Sequence, residues 1–371
     1  MRLRSFGVEE ELLLFDPEGG APRAMSGAVL HHARLQGEKV HTSPLTKGGM
    51  ESELQREQLE ICTRPCTTLD ELDRQVRRRR LAAARAAAAA GVRIAALATS
   101  PVAAHPTLTP HDRYRQMADQ YAQVADEQLI CGCHVHVEVS SPEEGVGVLD
   151  RIGPWLPPLL ALSANSPFWQ GRDTGYDSWR RQVWARWPSS GPAEPFRSAD
   201  GYRRAVRALI ETGALLDEGM VYYDARLSRH YPTVEVRVAD VCMRADDTVL
   251  IAALVRGLVE TAARAHREGR PPVPVRTEVL RAAMWRAGRS GLSGALVHPV
   301  TWRPAPARTV LQALVEYLRP ALEDAGDLAA VRELLQALAR RGNGACLQRT
   351  AYARTGCISG VIADAMDRTV S

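Results

Sequence analysis

Residues 7–15 read GVEEELLLF, followed by the turn-forming DPEGG at 16–20. A short apolar-rich run closed by such a turn predicts a β-strand. On a strand, residues two apart share a face, so Glu9 and Glu11 project side by side. Adjacent carboxylates repel, and burying them without cations is costly. A solvated edge strand would avoid that cost. Leu12, Leu13 and Leu14 argue against it, because they carry the same strand into a core.

The pattern recurs downstream. Residues 131–140, CGCHVHVEVS, alternate strictly, with Val135, Val137 and Val139 on one face and His134, His136 and Glu138 on the other. Residues 233–239, TVEVRVA, set Val234, Val236 and Val238 against Glu235 and Arg237. In residues 53–63, ELQREQLEICT, Glu60 interrupts Leu59 and Ile61. The end of that segment alternates like a strand, but Glu53, Glu57 and Glu60 also fit helical spacing, so strand and short helix both remain open.

Several strands bearing polar residues on one face can line a concave, water-filled cavity. Carboxylates with imidazole suit Mg²⁺, which prefers oxygen donors and substrate phosphates. Arginine suits phosphate or carboxylate through its planar fork. A zinc site from Cys131, Cys133 and His136 is a rival reading, against two small, partly buried thiols. The fingerprints GxxxxGK[ST], HExxH and GxSxG are absent.

Long helices lie between the strands. The clearest spans residues 69–90, with Thr68 and Glu71 as a capping box and Gly91 as the stop. Others are expected within 153–169 and at 202–211, 248–268, 307–318 and 328–341, the last ending at Gly342. This order is not a βαβ repeat. It predicts an α+β fold, a curved antiparallel sheet backed by helices. The proline-rich stretches at 271–274 and 299–306 are too short to mark a boundary, so residues 1–371 read as one domain.

Composition narrows the function. The chain of 371 residues is 45% hydrophobic with a net charge of +4, an ordinary globular balance without the basic excess of a nucleic-acid binder. No eighteen-residue apolar span and no cleavable leader pattern is legible, so no membrane role is expected. Seven scattered cysteines argue against a disulfide framework and for a reducing compartment, the cytoplasm.

Six segments, taken in order, carry a resemblance: GVEEELLLFDP, ELQREQLEICT, CGCHVHVEVS, LSANSPFWQGRDTGYDSWR, YYDARLSRHYPTVEVRVADVC and NGACLQR. Together they resemble the carboxylate–amine ligase family, also called glutamate–cysteine ligase type 2, across nearly the whole chain. The resemblance implies a glutamine-synthetase-like fold whose curved sheet forms a funnel-shaped active site for ATP, divalent metal and an acid substrate. It implies Glu9, Glu11, Glu53, Glu60, His134 and Glu235 as ligands of Mg²⁺ or Mn²⁺. It also implies Arg237 beside the transferred phosphoryl, with Glu235 as its catalytic partner, and Arg180 and Arg349 as further holders of phosphate or carboxylate. Cys133 and Glu138 depart from the usual family pattern, and Glu138 bears on the metal surroundings or the amine pocket.

The implied reaction is ATP-dependent amide formation through an acyl phosphate. The default pair is L-glutamate and L-cysteine, giving γ-L-glutamyl-L-cysteine, ADP and phosphate. His136 and Glu138 are candidate bases for the amine. Rival readings are a ligase for another acid–amine pair, a related phosphotransferase, and a non-catalytic metal- or nucleotide-binding module. Similar proteins imply a homodimer.

Overall fold

The structure, a computed structural model, describes residues 3–17, 20–40 and 48–371. Residues 18 and 19 of the turn expected at 16–20 lie outside the described residues. Seven strands form the main sheet: β1 (Phe6–Phe15), β2 (Gly49–Ser52), β3 (Gln58–Cys62), β4 (Arg93–Ala95), β5 (Gly132–Glu138), β6 (Ala225–Leu227) and β7 (Thr233–Asp240). Their order is β2-β3-β1-β5-β7-β6, with β4 alongside the far end of β1, and every pairing is antiparallel.

β1 is therefore central, not a solvated edge. Its alternation decides which side each residue faces. Phe6, Val8 and Glu10 turn to one side, Glu9 and Glu11 to the other. The first side meets the helices. The valines of β5 and β7 pack there with α3 (Ala245–Arg267), which is buried along most of its length, and with α2 (Leu156–Ser163). Beyond Glu11 the strand is apolar throughout, because Leu12–Phe15 are buried in one cluster with α1 (Leu69–Ala89) and the helices Ser26–Leu35 and Ile358–Thr369. The alanine-rich half of α1 lets that helix approach closely: Ala82, Ala83, Ala86 and Ala87 are all fully buried against Leu12, Leu59 and Ile61.

Glu10 is the one carboxylate on the helix side of β1. Arg80 of α1 meets it in a two-pronged pair at 2.6 and 3.0 Å, and Thr248 of α3 donates to it at 2.7 Å. Arg80 also donates to the carbonyls of Cys242 and Met243. A buried pair satisfied this fully locks strand to helix, and removing one partner would leave an uncompensated charge.

Helix boundaries follow local signals. Thr68 and Glu71 form the expected capping box, and Gly91, at φ +75°, takes the left-handed turn after α1. The helix expected at 307–318 runs on through Pro320 to Ala325, where Gly326 ends it in the left-handed conformation.

One expectation is corrected. The sheet does not curl into a funnel. It is open, and its end strands β2 and β6, of four and three residues, do not pair with each other. Closure needs end strands long and tilted enough to meet, and these are neither extended nor adjacent. The α+β class stands, and the cavity is roofed by loops and helices over one face of an open sheet.

Candidate active site

The face of the sheet opposite the helices forms the floor of a cavity of about 1050 Å³. Register brings its polar residues together. Glu9 lies between Cys62 of β3 and His134 of β5. Glu11 stands opposite Glu60, which stands opposite Glu51 of β2. His136 faces Glu235 of β7. The ambiguous 53–63 segment resolves into strand at Gln58–Cys62, while Glu53 directly follows β2, before the bend at Leu54. There its carboxylate accepts the Leu54 N–H at 2.9 Å and turns toward Glu11 and Glu60.

Three overlapping donor groups result among the described residues. Oxygens of Glu11, Glu53 and Glu60 lie within 4.8 Å of one another, as do ligand atoms of Glu9, His136 and Glu235. A third group joins Glu9 and Glu60 to the Cys62 thiol. His134 stands between the first two. Its Nδ1 is 3.6 Å from Glu9 and 4.0 Å from Glu235, and its Nε2 is 3.8 Å from Glu11. His136 Nε2 is 3.2 Å from Glu9, and its Nδ1 is 3.0 Å from the Thr233 hydroxyl.

The two halves of the floor differ electrically. Burial, then the neighbouring Glu9, Glu51, Glu53 and Glu11, push the Glu60 carboxyl well above the usual range. Burial also raises Glu53 and Glu11. Glu9 and Glu235 go the other way. Burial opposes their charge, but His136 and His134 hold Glu9 low, and Arg226 and Arg237 hold Glu235 well below the usual range. Burial and Arg237 lower the proton affinity of His134. Burial also acts against His136, but Glu9 and Glu235 outweigh it and raise that imidazole. The seam between β1 and β3 thus holds more carboxylates than its own cations can neutralise. Hard oxygen donors in that state fit a divalent cation such as Mg²⁺ or Mn²⁺.

Cationic groups gather on the opposite side. Arg226 grips Glu235 at 2.7 and 3.2 Å, and Arg237 also contacts Glu235. The guanidinium carbons of Arg180 and Arg237 lie 5.8 and 5.5 Å from the ring of Trp184, and Arg237 also lies 6.0 Å from that of Tyr222. Both arginines are buried, yet Nε of each has no hydrogen-bond partner. A cation–π platform with free donors suits an anionic ligand. Glycine at 132 makes the junction possible. Its N–H donates to Glu11 at 2.6 Å, and a Cβ there would overlap Nη2 of Arg180.

Eight of the nine residues that the resemblance implies for the site, Glu9, Glu11, Glu53, Glu60, His134, Arg180, Glu235 and Arg237, therefore line one cavity, and His136 lines it with them. Arg349 is elsewhere: it is held by Asp173 at 2.7 and 3.0 Å, by Asp177, and by the Tyr176 carbonyl. Cys131, Cys133 and His136 do not converge, because Cys133 faces the helices while His136 faces the cavity. Glu138 lines the cavity but accepts from the Ser5 N–H and hydroxyl at 3.2 and 2.8 Å. Glu51, Cys62, Arg226, Trp184 and Tyr222 were not anticipated. Glu51 was within reach, since it precedes Glu53 by two residues in the same acidic stretch. The roof residues had no comparable signal.

Known proteins share both sequence and fold with this chain. The profile of glutamate-cysteine ligase family 2 (GCS2) matches residues 5–369. A provisionally named glutamate–cysteine ligase 2-1 of Streptomyces avermitilis is 52% identical over 367 residues, 99% of each chain. A provisionally named glutamate–cysteine ligase 2 of Streptomyces coelicolor is 51% identical, again over 99% of each. Among solved structures, a glutamate–cysteine ligase from Francisella tularensis in complex with AMP aligns with TM-score 0.70 at 15% identity, covering 100% of this chain and 89% of its own. A bifunctional glutathione synthetase from Pasteurella multocida aligns at 0.69 and 15% identity, over 99% of this chain and 52% of its own.

Proposed function

The chain belongs to glutamate–cysteine ligase family 2 and is an ATP-dependent ligase forming carbon–nitrogen bonds, and from that premise we propose that the cavity over the open sheet is its active site, with L-glutamate and L-cysteine as the substrate pair. One observation carries the placement. A carboxylate-rich floor with too little positive charge faces two buried arginines with unused donors, across a single space. Polyphosphate accompanied by divalent cation satisfies both sides at once.

In this reading Glu11, Glu53 and Glu60 hold one ion, and Glu9 and Glu235 with an imidazole hold another. Bound there, divalent cations would neutralise phosphate oxygens and favour phosphoryl transfer. The substrate carboxylate attacks the γ-phosphorus of ATP, and ADP leaves. The amine then adds to the acyl phosphate, and phosphate departs as the amide forms. The chain's own contribution is alignment and charge. Arg237, pinned by Glu235 and set on Trp184 and Tyr222, faces the transferred group. Arg180 holds a carboxylate or phosphate oxygen. Arg226 keeps Glu235 ionised and fixed. Glu138 is engaged with Ser5, and His136 belongs to the second donor group with Glu9 and Glu235, so both candidate bases already have other partners in this reading. Arg349 supports the fold of the 173–177 loop.

Incubation with MgATP, glutamate and cysteine, followed by mass spectrometry, tests the assignment. γ-Glutamylcysteine is expected from the parent and absent from a folded Glu9→Ala/Glu11→Ala variant. ATP binding without that product would reject the pair and leave another acid and amine to be found.

A further inference from the structure

Asp240, the last residue of β7, is fully buried beneath the cavity and touches none of the floor carboxylates. Its Oδ2 accepts from the Asn165 N–H at 2.9 Å and the Ser166 hydroxyl at 2.8 Å. Its Oδ1 accepts from the Ser178 hydroxyl at 2.8 Å and lies 3.8 Å from Nη1 of Arg180. The two serines pass this order onward. Ser166 Oγ accepts the backbone N–H of Arg180 at 3.0 Å, and Ser178 Oγ accepts that of Arg181 at 3.3 Å. Asn165 is itself fixed, by Gln348 at 2.8 Å and through its own amide to the carbonyls of Ala96 and Val241.

We propose that Asp240 is a positioning residue that aims Arg180 at the anionic group of a substrate. This rests on the reading of Arg180 given above. The geometry separates two jobs. A buried guanidinium needs a counter-charge, and Asp240 is the carboxylate nearest Arg180. Three donors, from Asn165 and the two serines, hold its oxygens in place, so it neutralises Arg180 at 3.8 Å without a hydrogen bond to its guanidinium. The head of Arg180 is left with one long contact, Nη2 to the Arg237 carbonyl at 3.5 Å, and an unpartnered Nε. Arg181 makes the contrast. It is gripped by Asp224 at 2.6 Å and serves the fold. The segments at 162–180 and 343–349, far apart in sequence, meet here through Asn165 and Gln348, as they do through Arg349 with Asp173 and Asp177. Second-layer groups of this kind fix the orientation of the groups that touch the ligand.

Calorimetric binding of MgATP and of L-glutamate, with thermal melting of each variant, tests the role. The variants are Asp240→Asn, Ser178→Ala, Arg180→Ala and the doubles with Arg180→Ala. Asp240→Asn is expected to weaken one of the two ligands by about tenfold, and Ser178→Ala by less, with both effects vanishing in the Arg180→Ala background. Ser178→Ala leaves the carboxylate intact and serves if Asp240→Asn does not fold. Equal losses with and without Arg180 would make Asp240 merely structural and overturn the proposal. Loss on Arg180→Ala with Asp240→Asn and Ser178→Ala silent would overturn it while sparing the reading of Arg180. No loss on Arg180→Ala would overturn both.

Discussion

A methyl group at position 132 would overlap Nη2 of Arg180 and stand 3.0 Å from Nε2 of His134. The backbone there takes no unusual conformation, so volume alone demands glycine. Arg180 is the far end of a flexible chain and can yield, whereas the neighbouring backbone stays in its ladder. Gly132→Ala is therefore expected to fold, with a stability change below about 1 kcal/mol, and to lose roughly tenfold or more in turnover as the guanidinium is displaced. Comparing melting curves with ATP-coupled turnover checks this. Full turnover in a stable variant would remove Arg180 from the chemistry. Glutamates at 9, 11 and 235 and histidines at 134 and 136 could be read from alternation, because strand period assigns a face without any knowledge of neighbours, whereas Glu60 could not, its segment fitting strand and helix alike. Arg349 could not. Its partners Asp173 and Asp177 are more than 170 residues away, and a free arginine and a committed one look alike in sequence.

Helix α1 is specified at its start by Thr68 and Glu71, whose reciprocal bonds use side chains three residues apart. Thr68→Ala should cost about 1 kcal/mol in denaturant unfolding and leave turnover unchanged, since the cap lies outside the cavity. A loss of turnover at constant stability would tie the helix start to the chemistry. Such local signals made the capped helices and alternating strands legible. The order of strands was not, because pairing β1 with both β3 and β5 depends on contacts 45 to 53 and 123 to 131 positions apart. Nor was openness: alternation is the same in an open sheet and a closed one, and only the shortness of β2 and β6 separates them.

Across the molecule, Arg4 near the N-terminus joins the helix Pro142–Ile152 to α3. It bonds Glu144 at 2.9 and 3.0 Å and Glu260 at 2.6 Å, and Arg267 adds a further contact to Glu144 at 2.8 Å. Burial opposes the charge of Glu144, but Arg4 and the Ser140 N–H outweigh it and lower its carboxyl to about 2 from 4.5. The unfolded chain therefore takes up this proton first as pH falls. The stabilisation is complete above about 4.5 and disappears as pH falls toward about 2. Glu144→Gln is expected to be less stable by about 1.5–3 kcal/mol at neutral pH, and to converge on the parent in acid. Parallel curves at every pH would mean that the Glu144 carboxyl binds its proton equally well in the folded and unfolded chain, and would overturn the role given to Arg4.

The ladder around β1 has a consequence for how errors are handled. Displacing β1 by one residue against β3 and β5 would turn Glu10 into the cavity and press Glu9 and Glu11 into the helix layer, where Arg80 can answer only one of them. Such a chain loses its site and its stability together. The register thus works as a checksum: chains that would be inactive through misalignment are also those that fail to persist, so a surviving folded population is already sorted for competence.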